Sequence, residues 1–197
     1  MKKQLIIVMG MLVCLSCKAQ NPPLQQIIPL EDYINYQNND IPIPDNVYFK
    51  DINGLLDKYV GTWIGTYNNK TFEFHVVKTT PQSDIRPSVT IEQLYMRYKI
   101  TDANGNVIEN TLNLPDTSPM VIKGSYISRD LTDYFLYYVG QESGCGQHGD
   151  IVIFEISTTQ MELYFRPGEN VYTSNRCPNG PAQQVLPVET ALVLTKQ

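Results

Sequence analysis

Beyond Thr62 the chain alternates apolar and polar residues in short runs separated by turn residues. A two-residue period dictates strands, because successive side chains on a strand leave opposite faces. Runs 62–67 and 71–79 flank Asn68-Asn69-Lys70, and runs 89–100 and 107–112 flank Asp102-Ala103-Asn104-Gly105-Asn106. Asn and Gly tolerate the positive φ that tight hairpins demand, so both joints predict antiparallel neighbours. Runs 120–128, 134–139, 151–156, 161–166 and 191–195 bring the candidate strands to nine, and thirteen tyrosines against six phenylalanines suit half-buried pleated surfaces. Only one short helix is legible, over 51–59, where Ile52, Leu55, Leu56 and Tyr59 recur at helical spacing. No helix is long enough to cross between parallel strands. The fold expected is all-β, an antiparallel up-and-down meander barrel with a short N-terminal helix; a β-sandwich is the alternative. The inward positions are Trp63, Phe72, Phe74, Val76, Leu94, Met96, Tyr98, Val152, Phe154, Ile156, Met161, Leu163, Phe165, Leu192 and Leu194.

The formal charge of −5 leaves no basic surface to neutralise a phosphate backbone, which argues against nucleic acid as a partner. At the N-terminus Lys2 and Lys3 precede an apolar run, 5–15, broken only by Gly10, and small Ser16 and Cys17 follow. This is the pattern of a signal peptide, too short for a membrane span. Cleavage falls before Cys17 or after Ala19. The stretch Leu15-Ser16-Cys17-Lys18 resembles a bacterial lipobox, with Cys14 where that motif usually has Leu, and the chain resembles Bacteroidota lipoproteins of similar length without assigned activity. The resemblance implies an acyl group on Cys17, a lipid bilayer as partner, and the cell envelope as location, on its periplasmic or outer-surface face. Five prolines between Lys18 and Tyr48 favour extended backbone. The organisation expected is therefore a signal peptide over 1–16, a lipidated tether over 17–48 and a barrel over 49–197. Alternatively Ile27, Ile28, Leu30, Tyr33 and Tyr36 lie along the outside of the domain.

Gly61-Thr62-Trp63, opening the first strand after a short helix, resembles the Gly-x-Trp signature of lipocalins and related calycin barrels. That family seals the barrel floor with the indole and lays a cation from the last strand across it; Lys196 takes the place of the usual Arg. Thr132-Asp133-Tyr134 resembles the family's second motif, although the count here puts it before strand six rather than seven. The resemblance implies a small apolar or amphipathic ligand held inside the barrel by Trp63, Phe74, Met96, Tyr98 and Phe154. The alternative is a protein-interaction or inhibitor module that presents its loops to another envelope protein.

In an oxidising envelope Cys145 and Cys177 are expected to pair, and their loops follow strands six and eight, which places them at one end of a meander. A metal site of Cys145, His148 and Cys177, or a Cys–His nucleophile, would need free thiols. No hydrolase, metalloprotease or phosphate-loop motif occurs, so neither enzymatic activity nor a cofactor is expected. His75 reads as an ordinary strand residue, and Asp84 to Arg86 as a solvated turn. Tyr134, Tyr137 and Tyr138 read as barrel wall. Strand parity puts connections 80–88, 113–119, 140–149 and 167–187 at the end from which the N-terminal arm leaves, with any recognition surface there around Gln147, His148, Tyr172, Asn175 and Arg176. Lipocalins carry their mouth at the opposite end.

Overall fold

The computed structural model describes residues 25–38, 41–81, 88–169, 173, 175–188 and 190–197. The signal run, Cys17, Ala19, Pro22, Pro23, Asp84 to Arg86 and Tyr172 lie outside the described residues. Twelve strands occur among the described residues: β1 (Gln26–Pro29), β2 (Val47–Lys50), β3 (Gly61–Tyr67), β4 (Lys70–Thr79), β5 (Val89–Ile91), β6 (Gln93–Thr101), β7 (Val107–Asn110), β8 (Ile122–Ile127), β9 (Asp133–Val139), β10 (His148–Ser157), β11 (Gln160–Pro167) and β12 (Leu192–Lys196). One short helix, α1 (Tyr33–Asn38), joins them.

The barrel is closed and antiparallel. Its neighbours run β3, β4, β6, β8, β9, β10, β11, β12 and back to β3, which is chain order throughout. Closure comes from Thr195 against Ile64 and Lys196 against Trp63. This is one rolled sheet rather than the two facing layers of a sandwich.

Nine candidate strands become eight positions because β7 and β8 are two halves of one strand. Both run antiparallel to the same side of β6: Asn110 pairs with Lys99, the Thr111 amide donates to the Tyr98 carbonyl at 2.8 Å, and Ile122 resumes against Met96. Residues 112–121 leave the wall between these pairs. Arg97 holds that excursion by donating from Nε to the Leu114 carbonyl at 2.9 Å and pairing with Asp116.

Counting the halves separately inverts the parity of everything after them, so the parity expectation needs correcting. Connection 140–147 and the described residues of connection 168–191 lie at the end opposite Trp63, with the 67–70 hairpin, where Gln183 to Val188 share a hollow with Tyr67 and Lys70. The end carrying Trp63 holds residues 80–81 and 88–92, 128–132 and the β10–β11 turn, as the Tyr59 hydroxyl donating to the Thr132 carbonyl confirms. Thr132-Asp133-Tyr134 accordingly opens the fifth strand position rather than the sixth.

The arm over 25–50 is folded onto the Trp63 end. β1, β2 and β5 form a parallel three-stranded sheet, Ile28, Leu30, Ile34, Val47 and Phe49 are buried, and the Tyr33 and Tyr36 rings pack on Phe49 at 4.9 and 5.3 Å. The described part of the segment read as tether is thus a cap with its own hydrophobic contacts. The helix expected over 51–59 is instead a series of turns ending in one 3-10 turn, Asp57–Tyr59. Gly54 at φ +66 breaks the helical path, and the Asp51 carboxylate accepts from the Leu55 and Leu56 amides at 2.7 and 3.0 Å. Asp51 is in turn paired with Lys78, so a buried charge is neutralised where the cap meets β4.

Candidate functional site

Trp63, Phe74, Met96 and Tyr98 all point into the barrel, and none exposes more than 1% of its surface to a water-sized sphere. Almost none of their surface is left for water to reach. Rings fill the space: Phe74 to Tyr98 6.2 Å between centroids, Tyr98 to Tyr138 6.1 Å, and Tyr138 edge-on to Phe165 at 5.3 Å. These separations are those of aromatic rings in direct contact.

Phe154, expected among them, faces outward. β10 is apolar at both phases, Ile151 and Ile153 on one side and Val152, Phe154 and Ile156 on the other, so alternation alone could not choose. Register with β9 and β11 buries Ile151 and Ile153, and leaves Ile156 exposed. A one-residue slip turns every side chain to the other face. Leu136, Tyr134 and Tyr138 of β9 complete the interior, while Tyr137 stands outside.

The floor explains the spacing Gly61-Thr62-Trp63. Trp63 Nε1 donates to the Tyr59 carbonyl at 2.8 Å, and the Lys196 ammonium lies 5.2 Å from the indole centroid. At Gly61, φ +139, a Cβ would stand 2.9 Å from Lys196 Cε, so the missing side chain is what lets the lysine stem cross the ring.

Beneath the other end lies a polar cluster. Glu109, on β7, is turned inward and 4% exposed, and the Tyr98 hydroxyl donates to its carboxylate at 2.9 Å. Thr111 Oγ1 is buried beside it on the Tyr98 backbone. The Tyr138 hydroxyl is buried with no hydrogen-bond partner among the described residues. Burial raises the Glu109 pKa above the usual carboxylate range, and the Tyr98 hydroxyl only partly offsets this. The native state therefore binds the proton more tightly than the unfolded chain. Stability is full below the ordinary glutamate pKa and falls as pH rises through the raised one. Urea midpoints of the wild type are expected to fall across that interval, and Glu109→Gln is expected to flatten the slope and be the more stable form at neutral pH. An unchanged slope would place the titration elsewhere.

The rim is tied by the Cys145–Cys177 disulfide, with Cα atoms 5.7 Å apart. With both sulfurs in one bond, neither serves as a metal ligand or nucleophile. Three hydrogen bonds run alongside: Ala182 amide to Cys145 carbonyl at 2.8 Å, Gln147 Nε2 to Gln183 carbonyl at 2.7 Å, and Gln184 Nε2 to Gly146 carbonyl at 2.8 Å. Gln147, expected as a recognition residue, is thus a buried staple. Asn175 and Arg176 are exposed. His148 Nδ1 sits 3.1 Å from the Tyr137 hydroxyl. His75 is outward on β4, 2.7 Å from Glu73.

Besides the hollow beside Tyr67 and Lys70, the described residues line three shallow hollows at this rim and on the wall below it. One of about 380 Å³ is lined by Tyr137, Val139, Ser143, Gly144, His148 and Arg176. A second, about 270 Å³, shares Tyr137 and runs down the outer wall past Tyr126, Phe135, Asp150 and Arg166. A third, about 440 Å³, shares Arg176 and follows the disulfide to Gln183. Tyr126, Phe135 and Arg166 were not singled out from sequence, because only the register of β8, β9 and β11 brings them together. Among the described residues no group of three His, Cys, Asp or Glu side chains is arranged to hold a metal ion, and no helix is long and apolar enough to cross a membrane.

Comparison with curated proteins and with solved structures yields no match. One family model matches residues 1–197, the full span of the sequence, and on that match the chain belongs to the family described as Family of unknown function (DUF6705).

Proposed function

We propose that this chain is a cell-envelope lipoprotein, anchored by an acyl group on Cys17, whose barrel is a filled and non-enzymatic scaffold that presents its disulfide-tied rim for recognition. One observation carries the choice between a container and a scaffold: the water-tight packing around Trp63, Phe74, Met96 and Tyr98. A barrel of this strand number is either filled by its own side chains or holds one ligand, and these side chains fill it. The lipocalin-like reading, with a ligand inside, would require those rings to separate. Polarity along the barrel supports the same reading. The folded arm caps the Trp63 end, so a chain anchored at Cys17 turns its rim away from the bilayer, where loops with exposed polar and aromatic groups meet what diffuses past.

Native mass spectrometry of the full chain released from detergent tests both halves. The expected spectrum contains the chain with a covalent acyl mass, absent in Cys17→Ser, and no other stoichiometric companion. An apolar molecule retained at one per chain, and displaced in Met96→Trp, would overturn the scaffold reading; an unacylated wild-type chain would overturn the anchor.

A further inference from the structure

The three rim hollows adjoin one another, Tyr137 standing between the first and second and Arg176 between the first and third, and together they offer a groove-like track. A groove of consecutive shallow hollows fits a ligand built of repeating units. Its chemistry is uneven. On the outer wall the Tyr126 and Phe135 rings stack at 4.6 Å and 16°, and Tyr137, 47% exposed, stands at the turn of the groove. Cations accompany the rings. Arg176 lies over Gly144, where an added Cβ would be 3.6 Å from its Nε, and Arg166 lines the wall beside Tyr137. Neither guanidinium is ion-paired with a carboxylate among the described residues, although the chain as a whole carries a formal charge of −5. In the first two hollows Asp150 is the one carboxylate among the described lining residues.

We propose that this groove binds a linear acidic oligosaccharide of uronate type, with sugar rings lying on Tyr137 and the Tyr126–Phe135 stack and carboxylates meeting Arg176 and Arg166. The assignment rests on the rim reading above and deepens it. A pyranose unit has an apolar C–H face that suits an exposed aromatic ring and a girdle of hydroxyls that suits Asp150, Ser143 and His148. A carboxylate on each unit accepts two parallel N–H bonds from a planar guanidinium. A protein partner would instead be anchored by side chains buried in desolvated sockets, and the lining here is open and polar. The disulfide has a part in this, since Cys177 fixes the backbone next to Arg176.

The probe is tetragalacturonate, titrated into the full chain in detergent, with cellotetraose as the neutral tetramer and hexaglutamate as the acidic peptide. Expected is binding of tetragalacturonate that weakens with added NaCl, while cellotetraose binds at least about tenfold less tightly. Arg176→Ala and Tyr137→Ala are each expected to weaken the acidic tetramer about tenfold, as loss of one charge-assisted contact or one stacking ring does, with an unchanged melting temperature. Arg166→Ala serves the same purpose should either variant melt early. Absence of tetragalacturonate binding, equal affinity for cellotetraose, or variants that bind like the wild type would overturn the assignment. Hexaglutamate binding without saccharide binding would overturn it while leaving the rim reading intact; an interior ligand in the native spectrum would overturn the rim reading itself.

Discussion

Trp63→Ala is expected to cost about 4 kcal/mol of stability, equivalent to roughly 8–16 °C in Tm for a domain of this size. Three losses combine. The indole is fully buried and leaves a cavity at the barrel floor, where the short seam between β12 and β3 pairs Thr195 with Ile64 and Lys196 with Trp63 and ends in the Gln197 amide on the Thr62 carbonyl. The Tyr59 carbonyl loses its donor at 2.8 Å in a buried place. The Lys196 ammonium loses the ring beneath it. Lys196→Met separates the last of these, with an expected loss of about 1 kcal/mol, and Trp63→Phe restores part of the volume while leaving the carbonyl unpaired. Urea unfolding followed by circular dichroism measures all three, and because Trp63 is the only tryptophan its blue-shifted emission reports the floor directly in Lys196→Met. A loss below about 1 kcal/mol for Trp63→Ala would mean that the floor is held by the cap and not by the indole.

The barrel was legible because its hairpins announce themselves. Asn68 and Asn69 take positive φ in the first turn, and Asp102 gathers the amides of Asn104 and Asn106 in the second, so each pair of neighbours carries its own register signal. What alternation could not resolve was arrangement. The runs around Val107 and Ile122 look like two strands from sequence, and only their shared pairing with β6 makes them one, with Arg97 holding the residues between. That single miscount moved the rim to the wrong end. In β10 the phase was undetermined for a different reason, since Ile151, Ile153, Val152 and Phe154 offer an apolar residue at every position and burial is decided by neighbours.

The cap was half concealed. α1 is too short to show a periodic face, and Pro29 with Glu31 and Asp32 before it is the only signal of a helical start. At 51–59 the apolar spacing is helical but Gly54 outweighs it, because the Asp51 carboxylate offers the following amides a turn instead. Among the rim residues Asn175 and Arg176 were readable as exposed loop chemistry, whereas His148 opens β10 and is half-buried. Tyr126, Phe135 and Arg166 were not, since cross-strand neighbours on an outer face leave no mark in the order of residues along a chain.

Removing the disulfide by Cys145→Ser with Cys177→Ser is expected to lower stability by up to about 3.7 kcal/mol, the chain-entropy estimate for its 32-residue separation. The hydrogen bonds between 145–147 and 182–184 decide how the loss is expressed. They close the same loops by a second route, so the double serine variant is expected to keep its barrel and to open first at the rim. Limited proteolysis should cut within the β11–β12 connection, while the strands keep their β-sheet spectrum. Gln147→Ala then separates the two routes. Its side chain satisfies the Glu142 amide and the Gln183 carbonyl in a buried place, so its removal costs about 1–3 kcal/mol in the oxidised protein. If staple and disulfide hold one unit, the same substitution costs more in the double serine variant, because only the Ala182–Cys145 and Gln184–Gly146 hydrogen bonds then bring 182–184 to 145–147. Additive losses would mean that the two loops dock independently and that the groove beside Arg176 does not depend on the sulfur bond.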